Sequence, residues 1–100
     1  MNKYVLLVID HLANPNKYTK KQLKANADAA NDANAGFYAD AFANAGFYDA
    51  ADYAAYRAAR AAYRAADASY VADDAASFWV DKYFRVTGED KQTYIDALGE

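Results

Sequence analysis

"AADYAAYRAARAAYRAADASYVADDAASFW", residues 50–79, decides the fold of this 100-residue chain. Ala51, Ala54, Ala58, Ala61, Ala65, Ala68, Ala72 and Ala75 occupy the two seam positions of a heptad without a break, and Trp79 is next in line. Alanine is the strongest intrinsic helix former and no proline interrupts the run, so the pattern predicts one helix from Phe47 to Arg85. At 1.5 Å per residue that helix is about 55 to 60 Å long. Its seam is narrow and flat, a second helix can approach closely, and alanine gives up no rotamer entropy on burial. On the other side of the wheel stand Tyr53, Tyr56, Arg57, Arg60, Tyr63 and Arg64, so a small face opposes a large, polar, aromatic one.

Outward toward the N-terminus, 24 of the 52 residues from 25 to 76 are alanine. Disorder is argued against by the tyrosines and phenylalanines spread through this stretch, since disordered segments are poor in aromatics. "NAGFY" occurs at 34–38 and again at 44–48, and one of Gly36 and Gly46 is expected to break the helix, at a local cost of about 1 kcal/mol relative to alanine. Thr19 with Gln22 has the form of a capping box, which starts a helix at Lys20. Residues 3–12 read as a short helix with Val5, Val8, Ile9 and Leu12 on one face, or as a buried strand, and "ANPN" stops it at Pro15. Past Arg85, Gly88 is placed for a left-handed cap, and Thr87 or Asp90 can start a last helix carrying Tyr94, Ile95 and Leu98. The larger apolar residues of the two ends, Val5, Val8, Ile9, Leu12, Leu23, Phe78, Trp79, Val80, Phe84, Val86, Ile95 and Leu98, are expected to form one clasp.

The fold class that follows is all-α. It is an alanine-rich bundle of long helices, a helical hairpin with short terminal helices, in a single domain spanning 1–100. There are 26 alanines against five leucines, two isoleucines and five valines. A buried alanine contributes roughly one methyl group, about 0.8 kcal/mol, so a lone chain should be weakly stabilised and a homo-oligomer is expected.

The net charge of −3 argues against duplex DNA or an anionic membrane as partner, both of which need a broad basic surface. Asp10 and His11 interrupt the apolar run Tyr4–Ile9 long before 18 residues, so no spanning helix or signal peptide is expected and the cytoplasm is the default location. Without cysteine, disulfides and thiolate metal sites are excluded. His11, the single histidine, reads as partly buried packing, and Asp28 with Asp32 reads as a solvated face. No phosphate loop, nucleophile elbow or metal-ligand spacing is present, so neither catalysis nor a cofactor is expected.

The charge of +3 carried by Arg57, Arg60 and Arg64 inside an acidic protein needs its own explanation. At the i±3 and i±4 positions, where side chains on one helix meet, Arg60 faces both other arginines, each contact costing a few tenths of a kcal/mol, and only Arg64 finds an acid, Asp67. Two explanations compete. Asp49, Asp52, Asp67, Asp73 and Asp74, presented by an antiparallel neighbour, would make this a plain interhelical interface. Alternatively, copies of "AYRAARAAYR" line a groove for a small anionic nucleotide, with phosphates on the arginines and bases stacked on Tyr56 and Tyr63.

The start "MNKYVLLVIDHLANPNKYTKKQLKANADAA" and the end "FWVDKYFRVTGEDKQTYIDAL" resemble those of small alanine-, tyrosine- and aspartate-rich accessory proteins of tailed bacteriophages. That resemblance implies a setting, the host cytoplasm, and a mode of action, antagonism of a host defence by binding one of its proteins or sequestering its signal molecule. "AAYRAARAAYR" departs from the simpler alanine and tyrosine runs of such proteins and favours a ligand. Binding a host protein through the long aromatic helix, or self-assembly into a scaffold, are the other functions this reading leaves open.

Overall fold

Side-chain caps set the helix starts. Asn2 accepts from the backbone N–H groups of Tyr4 and Val5 at 2.9 and 3.1 Å and starts α1 (Lys3–Ala13). The capping box forms as its residue types require: Gln22 Oε1 accepts from the Thr19 N–H at 2.8 Å, Thr19 Oγ1 accepts from the Gln22 N–H at 3.1 Å, and α2 (Lys20–Ala43) follows. Beyond it lie α3 (Ala50–Ala68), α4 (Val71–Thr87) and α5 (Lys91–Leu98). Gly88, at φ 72°, occupies the left-handed region after α4, and Asp90 caps α5 through the Gln92 N–H at 2.9 Å. The computed structural model describes residues 1–43, 50–68 and 71–99, all-helical with no strand among them. Gly36 lies inside α2 and does not end it; Gly46 lies outside the described residues.

The single helix expected from Phe47 to Arg85 is not formed. Only residues 69 and 70 separate α3 from α4, yet the ring of Tyr53, near the start of α3, lies 5.7 Å from that of Trp79, in the middle of α4, so α4 runs back along α3. Energetics favour the fold-back. Ending one helix and starting another sacrifices on the order of 1 kcal/mol of propensity, whereas burying Val80 and Tyr83 recovers roughly 1.5 to 3 kcal/mol for each large side chain. The molecule is accordingly 41 Å in its longest dimension rather than a rod of 55 to 60 Å.

The alanine seam survives on α3 and widens. Ala54, Ala58 and Ala61 are buried as expected, and a second row, Ala55, Ala59 and Ala62, is buried beside them. At 100° per residue the two rows cover an arc of about 160°, because α3 packs against α2, α4 and α1. On α4 the heptad register is lost: Ala76, Val80 and Tyr83 are buried, whereas Ala75 and Trp79 are half-buried, and the side chains of Ala68 and Ala72 lie outside the described residues. Of the two partners open to this ridge, the helix that starts at Lys20 and a second chain, the first covers it, together with α4.

Val5, Val8, Ile9, Leu23 and Val80 form the clasp with partly buried Leu12, Trp79, Phe84 and Leu98. Phe78, Val86 and Ile95 do not join it, being 53%, 40% and 43% exposed. Tyr83 and Tyr94 take their place, because their hydroxyls have partners at depth: the Asn2 N–H donates to Tyr94 Oη at 2.8 Å, Tyr83 Oη donates to Glu89 Oε2 at 2.9 Å, and Tyr94 Oη donates to Glu89 Oε1. His11 is buried on α1.

Asp10, also buried, pins the turn between α1 and α2. Tyr18 Oη donates to its Oδ2 at 2.6 Å, Lys17 Nζ lies 2.6 Å from the same oxygen, and Asn14 Nδ2 donates to Oδ1 at 3.0 Å. Burial would push this carboxyl up; the hydrogen bonds from Lys17, Tyr18 and Asn14 outweigh it and hold the group below the usual carboxylate range. A lowered folded-state value stabilises the protein above the ordinary aspartate value near 4, and the contribution is lost as pH falls through the folded-state value. Because Lys17 is more than half exposed, the expected loss for Asp10→Asn at pH 7 is about 1 to 2 kcal/mol. Urea unfolding from pH 7 to pH 2 checks this: the difference between wild type and variant should shrink toward the acid end.

Candidate functional site

The alanine arc fixes what α3 shows to solvent. With Ala54, Ala55, Ala58, Ala59, Ala61 and Ala62 turned into the bundle, the remaining wheel positions carry Tyr53, Tyr56, Arg57, Arg60, Tyr63 and Arg64 along the uncovered side. Arg60 and Arg64 are exposed, Tyr53 is 40% exposed, and Tyr56, Arg57 and Tyr63 are half-buried. Tyr53, Tyr56, Arg57 and Arg60 are linked. Arg57 Nη1 donates to Tyr53 Oη at 3.1 Å, Arg60 Nη1 donates to Tyr56 Oη at 3.3 Å, and the Tyr53 and Tyr56 rings lie 6.5 Å apart. Tyr63 and Arg64 continue the strip along the helix, and the Tyr56 and Tyr63 rings lean against the core.

Folding back brings in a group that the wheel of a single helix hides. Trp79 stands edge-on to Tyr53, at 90° and 5.7 Å, and the Arg57 guanidinium carbon lies 5.1 Å from the Trp79 ring centre and 5.7 Å from that of Tyr53. Phe78 abuts the indole from outside, at 89° and 5.3 Å. The heptad places Trp79 on the seam; α4 packed back against α3 brings it to the edge of the arginine strip instead.

Among the described residues no carboxylate lies within ion-pair distance of Arg57, Arg60 or Arg64, the ion pairs being Lys17–Asp10, Lys24–Asp28 and Lys91–Asp81. Of the acids considered for the strip, Asp52 and Asp74 do not reach it, while Asp49 and the side chains of Asp67 and Asp73 lie outside the described residues. Burial pushes the Asp52 carboxyl up from the ordinary aspartate value. The strip is therefore a row of cationic forks backed by aromatic rings, suited to hold a planar anion.

No group of three potential metal-ligating side chains exists among the described residues, and no helix there is long and apolar enough to cross a membrane. No protein-family model, curated protein or solved structure matches the chain.

Proposed function

We propose that this chain is a non-catalytic binding protein that captures a small anionic nucleotide, such as a cyclic dinucleotide, on Tyr53, Tyr56, Arg57, Arg60, Tyr63 and Arg64. The observation that carries this reading is the row of three guanidinium groups, spanning about 10 Å of helix, with no carboxylate against them among the described residues. Like charges at this spacing repel, and a bound polyanion turns that cost into attraction. In the phage setting suggested by the two ends of the chain, the nucleotide is a signal of the host's defence and its removal is the antagonism. Two copies, facing each other across this strip, would enclose it.

Thermal unfolding tests the reading. A cyclic dinucleotide at a hundredfold excess over Kd should raise Tm by roughly 10 °C in a domain of this size. The double variant Arg57→Ala, Arg60→Ala should keep its helical circular dichroism and lose the shift. No shift in the native protein with any cyclic dinucleotide would overturn the proposal. Exposed Phe78 and Tyr53 favour a second reading, a host protein anchored on these rings, and co-purification of one host protein, lost on replacing Tyr56 and Tyr63 by alanine, would decide for it.

A further inference from the structure

The strip is not uniform along its length. At its start, Tyr53 of α3 and Trp79 of α4 meet at a right angle and make a two-walled corner, with Phe78 fixing the indole from outside. The Arg57 guanidinium lies across that corner, on the Trp79 ring and hydrogen-bonded to the Tyr53 hydroxyl. One and two turns further on, Arg60 and Arg64 are exposed, and Arg60 has no partner beyond Tyr56 Oη among the described residues. A planar cation on two aromatic faces occupies the kind of place that a planar nucleobase also fills, since both bind through the ring face.

We infer that the corner formed by Tyr53 and Trp79 is the base-stacking platform of the nucleotide site, with Arg57 as its removable cover and Arg60 and Arg64 as its phosphate seats. This rests on the function proposed above and revises one part of it: the stacking surface moves from Tyr56 and Tyr63 to Tyr53 and Trp79, the pair that meets at a right angle beneath the Arg57 guanidinium. It also orients the ligand. The base lies toward the start of α3, against α4, and the phosphate lies toward the middle of α3. As the base enters, the Arg57 guanidinium leaves the indole and turns to the phosphate beside Arg60, so one displacement both opens the platform and adds a third cation. The ligand class is then narrower than "anion": it requires an aromatic base and a phosphate in one molecule, and phosphate or pyrophosphate alone leaves Arg57 on the rings.

Trp79 is the only tryptophan, so its emission reports on this corner directly. Cyclic di-AMP and cyclic di-GMP are titrated into the native protein, with pyrophosphate as the base-free probe, while calorimetry measures binding independently. The expected result is a change in tryptophan emission that follows the calorimetric isotherm for the cyclic dinucleotides and is absent with pyrophosphate. Trp79→Leu should weaken their binding about tenfold, the loss typical of one stacked base. Calorimetric binding with unchanged emission, and with full affinity in Trp79→Leu, would overturn the platform and leave the proposed function standing. No calorimetric binding of either dinucleotide to the native protein would overturn both. The native titration needs no variant, so a misfolded Trp79→Leu does not blunt the test.

Discussion

Replacing Ala58 by leucine lowers the unfolding free energy by about 3 kcal/mol, whereas the same replacement at Ala66 changes it by less than about 0.5 kcal/mol. Ala58 is fully buried on the arc of α3 that faces the bundle, and Ala66 is exposed on the same helix. Alanine and leucine have nearly equal helix propensity, so the comparison isolates packing. Three added carbons have nowhere to go where α3 is wedged against its neighbours, and the helices must separate along their length. In a domain whose total stability is about 5 to 10 kcal/mol the variant is a large fraction of the way to unfolding. Urea denaturation followed at 222 nm gives both values. Equal, small effects at the two positions would mean that the methyl arc is not in tight contact.

Tyr94→Ala is expected to cost about 3 to 5 kcal/mol, the largest single loss available at the ends of the chain. The side chain is 2% exposed, its ring packs edge-on against Phe84 at 5.0 Å, and its hydroxyl joins the first turn of α1 to the α4–α5 connection through Asn2, Glu89 and Tyr83. Tyr94→Phe keeps the ring and leaves the Asn2 N–H and the Glu89 carboxylate short of a partner, which costs about 1 to 3 kcal/mol. The two variants therefore split the ring from the hydroxyl. A Tyr94→Phe variant as unstable as Tyr94→Ala would place nearly all of the contribution in the hydrogen bonds and contradict the assignment of the ring to the core.

Much of the fold was legible residue by residue. Thr19 and Gln22 marked the start of α2, Pro15 the end of α1, Gly88 the left-handed cap and Asp90 the start of α5, because each of these acts on neighbours no more than four positions away. The break between α3 and α4 was not legible. An unbroken heptad of alanines satisfies a long rod and a folded hairpin equally, and the choice is made by distant burial of Val80 and Tyr83. Asp10 and Tyr94 were missed for a related reason: their networks join residues of different elements, and nothing in the spacing of Asp10, Lys17 and Tyr18 announces that the carboxylate is inside.

For the candidate site the outcome is similar. The outward arginine and tyrosine face followed from the wheel, since covering the alanines forces the bulky positions outward. Trp79 could not be placed there, since its contact with Tyr53 and Arg57 exists only once α4 runs back along α3. The same fold-back alters the expectation of assembly. Methyl groups that a lone rod would present to a second chain are buried within one chain, so any association between copies must use another surface, of which the arginine strip is the most strongly charged on α3.

The most direct test of the central claim, that this strip holds an anionic nucleotide, is mass spectrometry of the small molecules carried through purification from bacteria in which a nucleotide-signalled defence is active. The native protein is predicted to carry a nucleotide at a fixed ratio to chain, and the Arg57→Ala, Arg60→Ala variant, purified in parallel and equally helical, to carry none. Native protein free of nucleotide under those conditions, or a variant that carries as much, would contradict the account.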